Sequence, residues 1–188
     1  AHHPIIFSGL KKLNGKNYIE RTIIKAIKND IAIYAIHTNL DNIKEGVSSK
    51  IADKLGLKNQ QILSPKRDLL RKLEVYVPKE SAEEVQNTLF ASGAGSIGDY
   101  KNCSFQSFGV GTFLPSEDAS PKVGEKGKQE RVKEVKIEVI FPKNIEKRII
   151  SEMRKVHPYE EVAFQIYILD NVFQEVGAGI IGELANEI

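Results

Sequence analysis

Three of the four histidines in this 188-residue chain lie within its first 37 positions. His2 and His3 precede Pro4-Ile5-Ile6-Phe7, and His37 opens His37-Thr38-Asn39-Leu40-Asp41 after the apolar run Ile31–Ile36. Imidazoles and a carboxylate held at the ends of strands are the raw material of a metal site, and strand ends are where α/β proteins place their chemistry. On an extended chain, adjacent histidines point to opposite sides, so His2 and His3 can both serve metals only if two ions sit at a turn. Asp41, read alone, is a helix N-cap, a role that leaves room for a metal beside the helix start.

The fourth histidine belongs to His157-Pro158-Tyr159-Glu160-Glu161. The bland reading is a turn whose histidine complements a helix C-terminus. The alternative is a small-ligand or second metal site using His157, Tyr159 and Glu160. Gly177-x-Gly179-x-x-Gly182 has the spacing of a dinucleotide fingerprint. It lacks the preceding strand and the downstream acid, so Gly182 reads instead as a close backbone approach.

The elements that must position these groups follow from periodicity. Ile19, Ile23, Ile24 and Ile27 share one face of a helix over residues 17–29. Ile31–Ile36 reads as a buried, parallel-sheet strand, which with the helix makes half a βαβ unit. A second helix is expected over residues 43–55, stopped by Gly56, and a strand at Gln61–Pro65.

From about residue 70 the pattern changes. Leu73–Val77 alternates and ends at Pro78; Ser81-x-x-Glu84 has the form of a capping box for a helix to about Ala91. Residues 96–114 read as two strands or a bent hairpin with turns at Gly109 and Gly111, and residues 115–130 as an exposed loop. Arg131–Phe141 then alternates, Pro142 stops it, Asn144 caps a helix to about Val156, and Val162–Leu169 closes the set. Two strand–Pro–helix–strand units in tandem are the β-α-β-β-α-β pattern of a ferredoxin-like domain. The expected organisation is therefore an α/β main domain over 1–69, an inserted ferredoxin-like α+β domain over 70–170, and a Gly-rich return to the main domain over 171–188.

Composition sets bounds. Apolar residues make up 41% and charged residues 28%, enough to bury a core and stay soluble. A net charge of +2, with lysines mixed among acids, argues against nucleic acid as a partner. The single cysteine, Cys103, excludes a disulfide framework and a cysteine-rich zinc site, and reads as a strand residue rather than a nucleophile. No apolar run approaches the roughly 20 residues of a membrane span. A cytoplasmic protein without membrane contact is expected. The absence of an initiating Met is read as the mark of a longer parent.

Together, Ala1–Phe7, Ile36–Asp41, His157–Glu161 and Gly177–Leu184 resemble the dinuclear-metal-centre proteins known as GTP cyclohydrolase I type 2 homologues, which form hexameric toroids. The likeness covers essentially the whole chain, and the insert resembles the CutA and nitrogen-regulatory P-II type of ferredoxin-like domain. The resemblance implies a Nif-three-like fold, with His2 and His3 each ligating one metal and Asp41 bridging the two. It makes His37 and Asn39 residues that orient Asp41 or a bound water. The family completes its site with a later His-x-x-x-Glu on a C-terminal segment that has no counterpart here. This chain alone is thus expected to bind metal weakly, turn over poorly and assemble partially. Ile180 stands where the family has a basic residue and Ser48 where it has Asn, which bears on substrate contacts rather than ligands.

The implied cofactor is a pair of divalent ions: zinc, iron, manganese, nickel or cobalt. The implied function is metal-dependent hydrolysis, with GTP, another nucleotide or a phosphoester as substrate; nothing in the sequence marks a guanine pocket. The rival reading is a non-enzymatic metal-binding oligomer, or a regulator acting on a small ligand through its P-II-like insert.

Overall fold

The computed structural model describes residues 1–184, which fall into two compact units. One comprises Ala1–Lys66 with the segment from Gln174 onward; the other is Arg67–Phe173. Among the described residues no helix is long and apolar enough to cross a membrane.

In the first unit, helix α1 (Tyr18–Lys28) opens at Asn17, whose side chain accepts from the Glu20 amide at 2.9 Å. Glu20 reciprocates: its carboxylate accepts from the Asn17 side chain and from the amides of Asn14 and Lys16. Asn17 and Glu20 thus bond reciprocally at the helix start, a variant of the capping box in which Glu20 takes the amides of Asn14 and Lys16 rather than that of Asn17. Burial opposes ionisation of Glu20, but the surrounding N–H groups win and hold its carboxyl below the usual range. Ile19, Ile23 and Ile24 are half-buried as expected, while Ile27 is exposed.

Ile31–Ile36 does not form the expected buried strand. A strand of that kind needs neighbours along its edges and covered faces, and among the described residues this run pairs with no strand: its backbone bonds go to Ala1, to Ala26 of the preceding helix and to Asn39 of the following turn. Its Ile31, Ile33 and Tyr34 side chains are exposed. Asp41 lies in a 3-10 turn, Leu40–Asn42, and helix α2 (Val47–Lys54) is shorter than expected, with Gly46 rather than Asp41 at its N-cap.

The glycine-rich return is a strand. β6 (Gly177–Glu183) pairs antiparallel with β1 (Lys58–Pro65). A Cβ on Gly182 would stand 2.7 Å from the Lys58 carbonyl oxygen, so only glycine allows this approach.

The second unit is a four-stranded antiparallel sheet covered on one face by two helices. Its elements are β2 (Leu70–Pro78), α3 (Ala82–Ala91), β3 (Phe105–Phe113), β4 (Glu130–Pro142), α4 (Glu146–Val156) and β5 (Phe164–Leu169), in sheet order β3-β4-β2-β5. This is the ferredoxin-like topology expected from the tandem pattern. Alternation sends Leu73, Val75, Val77, Val135, Ile137, Val139 and Phe141 to the covered face, where they meet Val85 and Leu89 of α3 and Ile149 and Met153 of α4.

Residues 96–104 form no strand, and the single strand β3 runs through Gly109 and Gly111. Cys103 sits in the loop before it. Neither expected helix cap forms. Ser81 and Asn144 each lie in a 3-10 turn after a proline, Lys79–Ser81 and Lys143–Ile145, and neither helix start has a side-chain cap. Ser81 has φ −102° and ψ −1°, outside the extended conformation that a capping serine requires.

On the uncovered sheet face, Glu74 and Glu138 are direct cross-strand partners. Like charges in that position repel unless compensated. Lys72 Nζ lies 2.6 Å from Glu74 and 3.1 Å from Glu138, and Lys136 Nζ lies 3.1 Å from Glu138. A hydrogen bond shared with Glu74, opposed by burial and helped by Lys136 and Lys72, holds the Glu138 carboxyl at about 2. A depressed carboxyl stabilises the fold fully above its unfolded value near 4.5 and loses that contribution as pH falls through about 2. Chemical denaturation across that window is expected to show roughly 1–2 kcal/mol of acid-dependent stability that Glu138→Gln removes. An unchanged pH slope in the variant would contradict this.

Candidate metal centre

The amino-terminal residues lie alongside the chain at 34–37. Ala1 N donates to Tyr34 O at 2.7 Å, Ile36 N to Ala1 O at 3.1 Å, and His37 N to His2 O at 2.8 Å. The first two bonds have the slant of a parallel bridge. The register carries His2 next to His37, 35 positions further along the sequence.

The two tandem histidines do not diverge. Their rings stack, with centroids 4.5 Å apart and planes 14° from parallel. Alternation fails because residues 1–3 are not held in a regular strand. His37 faces the pair, with its ring centroid 5.2 Å from His3 and 6.0 Å from His2, and Phe7 meets His37 edge-on at 5.6 Å. His37 has φ +43°, a left-handed conformation uncommon outside glycine and enriched at functional sites. The chain then turns: Asn39 N donates to Ile36 O, and Thr38 O accepts from Asp41 N and the Asn42 side chain. Asp41 is therefore on the turn that follows His37.

The donor chemistry fits a divalent ion of borderline softness: two exposed imidazoles side by side, a third at their edge, and a half-buried carboxylate on the adjoining turn. Among the described residues, no three His, Cys, Asp or Glu side chains converge to hold an ion.

His157 occupies a different setting. It is only 4% exposed, and both ring nitrogens are engaged. Nε2 lies 2.9 Å from Tyr76 O, and Nδ1 accepts from Tyr159 N at 3.1 Å. A carbonyl can only accept, so the proton is on Nε2 and the imidazole is neutral, with no lone pair left for a metal. Burial pushes this imidazole below its usual range, against the Tyr76 carbonyl and the field of Glu134. The spacing His157-x-x-x-Glu161 therefore offers no imidazole ligand here.

Tyr159 and Glu160 do line a cavity of about 410 Å³ within the insert. The Tyr159 hydroxyl donates to Glu134 Oε1 at 2.7 Å, and Ser120 N donates to Glu160 at 3.0 Å. Burial, then the bond to Glu134, raises the Tyr159 phenol well above its ordinary value, so it remains a donor. Glu134 was not expected from sequence. It stands in the polar phase of the β4 alternation with Lys136 and Glu138, so no local pattern marks it.

A family model described as Duf34/NIF3 (NGG1p interacting factor 3) matches residues 1–188. The GTP cyclohydrolase 1 type 2 homolog of Bacillus subtilis (strain 168) is 47% identical over 189 residues, covering 100% of this chain and 51% of that protein. The protein of the same name from Listeria innocua is 37% identical, covering 100% of this chain and 51% of that protein. A solved structure of a Bacillus cereus protein related to NIF3 superposes with a TM-score of 0.84 at 45% identity, covering 100% of this chain and 50% of the other. Staphylococcus aureus protein SA1388 gives 0.60 at 30% identity, covering 99% and 47%. The chain thus spans about half the length of the curated relatives it matches.

Replacing His157 by Ala strands the Tyr76 carbonyl and the Tyr159 amide in a buried site. Thermal or chemical denaturation is expected to show a loss of about 2–4 kcal/mol. Divalent-ion affinity of the histidine-bearing unit should stay unchanged in the same variant; a parallel loss of metal binding would overturn the assignment of His157 to structure.

Proposed function

Because the chain belongs to the Duf34/NIF3 family, we propose that its histidine-bearing unit forms part of a dinuclear metal centre in a metal-dependent hydrolase of the kind its relatives' name, GTP cyclohydrolase 1 type 2 homolog, describes. The observation that carries this reading is the stacked His2–His3 pair with His37 at its edge. Three imidazoles with exposed or half-buried rings do not gather for packing, and they contribute little to a core.

In this reading His2, His3 and Asp41 would be the residues of this chain that hold the two ions. His37 and Asn39 orient these groups. Two divalent ions, drawn from zinc, iron, manganese, nickel or cobalt, supply Lewis-acid activation of water and neutralise charge on the substrate. The chain's own contribution is positional. The bonds from Ile36 and His37 to residues 1 and 2 fix the two motifs against each other, and Phe7 shields one side of His37. The remaining ligands are proposed to come from parts of the family length that this chain does not span, within a cytoplasmic homohexamer. The substrate is a nucleotide, with GTP the first to test.

A non-enzymatic reading, in which the protein binds metal and senses a small molecule through the insert, draws support from the cavity beside Tyr159 and Glu160. The two readings separate on turnover. On protein of full family length, elemental analysis is expected to find two metals per chain, with GTP hydrolysis abolished and one metal lost in Asp41→Ala. His37→Ala is expected to weaken metal binding by about 10–100-fold. Two metals without turnover would transfer the weight to the sensing reading, and protein isolated without chelator yet free of metal would contradict both.

A further inference from the structure

The insert cavity contains a carboxylate, Glu134, that forms no ion pair among the described residues. Glu134 projects from β4 on the sheet face away from the helices, is only 9% exposed, and lines the cavity. Its partner is the Tyr159 hydroxyl, a single neutral donor. Among the described residues no Lys, Arg or His forms an ion pair with it; Lys136, two residues along β4 on the same face, is engaged with Glu138 at 3.1 Å. A carboxylate withdrawn from water with one hydrogen bond and no cation is costly, so a position of this kind calls for a compensating partner.

The seat for this carboxylate is built into the neighbouring strand. Gly111 of β3 lies directly under the Glu134 carboxylate, and a Cβ at that position would collide with its carboxylate atoms. Glycine there lets the charged group lie across the strand at the cavity wall. The rest of the wall is largely apolar, including Phe113, Leu114, Val123 and Ala163. Among the charged residues of the lining, Glu134, Glu160 and Glu161 outnumber Lys122. The volume of about 410 Å³ falls in the range of roughly 300–1,000 Å³ typical of small-molecule sites.

We propose that the cavity bounded by β3, β4 and Tyr159 binds a small organic cation with an apolar body, a primary amine or amidine, whose N–H groups donate to Glu134 while its hydrocarbon portion packs against Phe113, Leu114 and Val123. An anion would face three carboxylates, and a neutral apolar molecule would leave Glu134 uncompensated. The proposal lies wholly within the insert. It gives the sensing reading a ligand class and also stands if the hydrolase reading holds, because a regulatory site and a metal centre are compatible in one chain.

The test uses benzylamine, benzamidine, benzyl alcohol and benzoate as probes, titrated into the 188-residue chain in the presence of EDTA so that metal binding cannot contribute. Amide chemical shifts are followed by heteronuclear NMR. Benzylamine and benzamidine are expected to shift Gly111, Phe113, Glu134, Tyr159 and Ala163 with Kd near about 1 mM, as befits fragments of this size. Benzyl alcohol should bind at least about tenfold more weakly and benzoate not at all. Glu134→Gln should reduce the amine to the level of the alcohol. Equal binding of benzylamine and benzyl alcohol by the unmodified chain would overturn the proposal whether or not the variant folds, as would no shift at these residues up to about 5 mM of either cation. Since EDTA removes metal, such a failure would leave the dinuclear reading untouched.

Discussion

Two backbone hydrogen bonds hold the candidate site together: Ile36 N to Ala1 O and His37 N to His2 O. They set the register between two motifs far apart in sequence, bring His37 to the edge of the stacked pair, and hold His37 in its left-handed conformation at the point where the chain turns toward Asp41. Without them the imidazoles would sit on independent, exposed segments. The arrangement depends on main-chain geometry, so side-chain substitutions in the patch should change chemistry more than placement.

The insert solves a different problem. A ferredoxin-like sheet with helices on one face leaves the other face without a hydrophobic cover. Here that face carries charge. The Glu74–Glu138 cross-strand pair would be repulsive alone, and Lys72 and Lys136 turn it into a compensated network. Glu134, on the same face of β4, falls outside that compensation, and among the described residues its hydrogen-bond partner is Tyr159. The contrast between a neutralised carboxylate pair and an unanswered one two turns of the pleat away distinguishes a structural ion network from a binding position.

Much of the insert was legible in the sequence because local signals agreed with its tertiary environment. Alternation in Leu73–Val77 and Arg131–Phe141, prolines at both strand ends, and helical spacing of Val85, Leu89, Ile149 and Met153 all describe faces that the insert buries by itself. The helix caps misled, because Ser81 and Asn144 sit in 3-10 turns that follow proline and cannot use their side chains as caps. In the histidine-bearing unit, apolar patterning was a poorer guide. Ile31–Ile36 has a buried strand's composition but lacks the neighbours that would cover it, and Gly177–Glu183 has a turn's composition but pairs with β1. The histidines and Asp41 were visible as types and spacings. Stacking of His2 on His3, the enclosure of His157 and the isolation of Glu134 depend on contacts that no local pattern encodes.

The central claim, that His2 and His3 act together as metal ligands while His157 is structural, can be read directly from the four imidazoles of this chain. Long-range nitrogen–proton NMR spectra recorded during zinc titration resolve each ring's nitrogens. The account predicts that His2 and His3 change together, that His37 responds more weakly, and that His157 keeps its proton on Nε2 throughout. Unmoved His2 and His3 signals at saturating zinc, or a His157 that shifts with them, would contradict it.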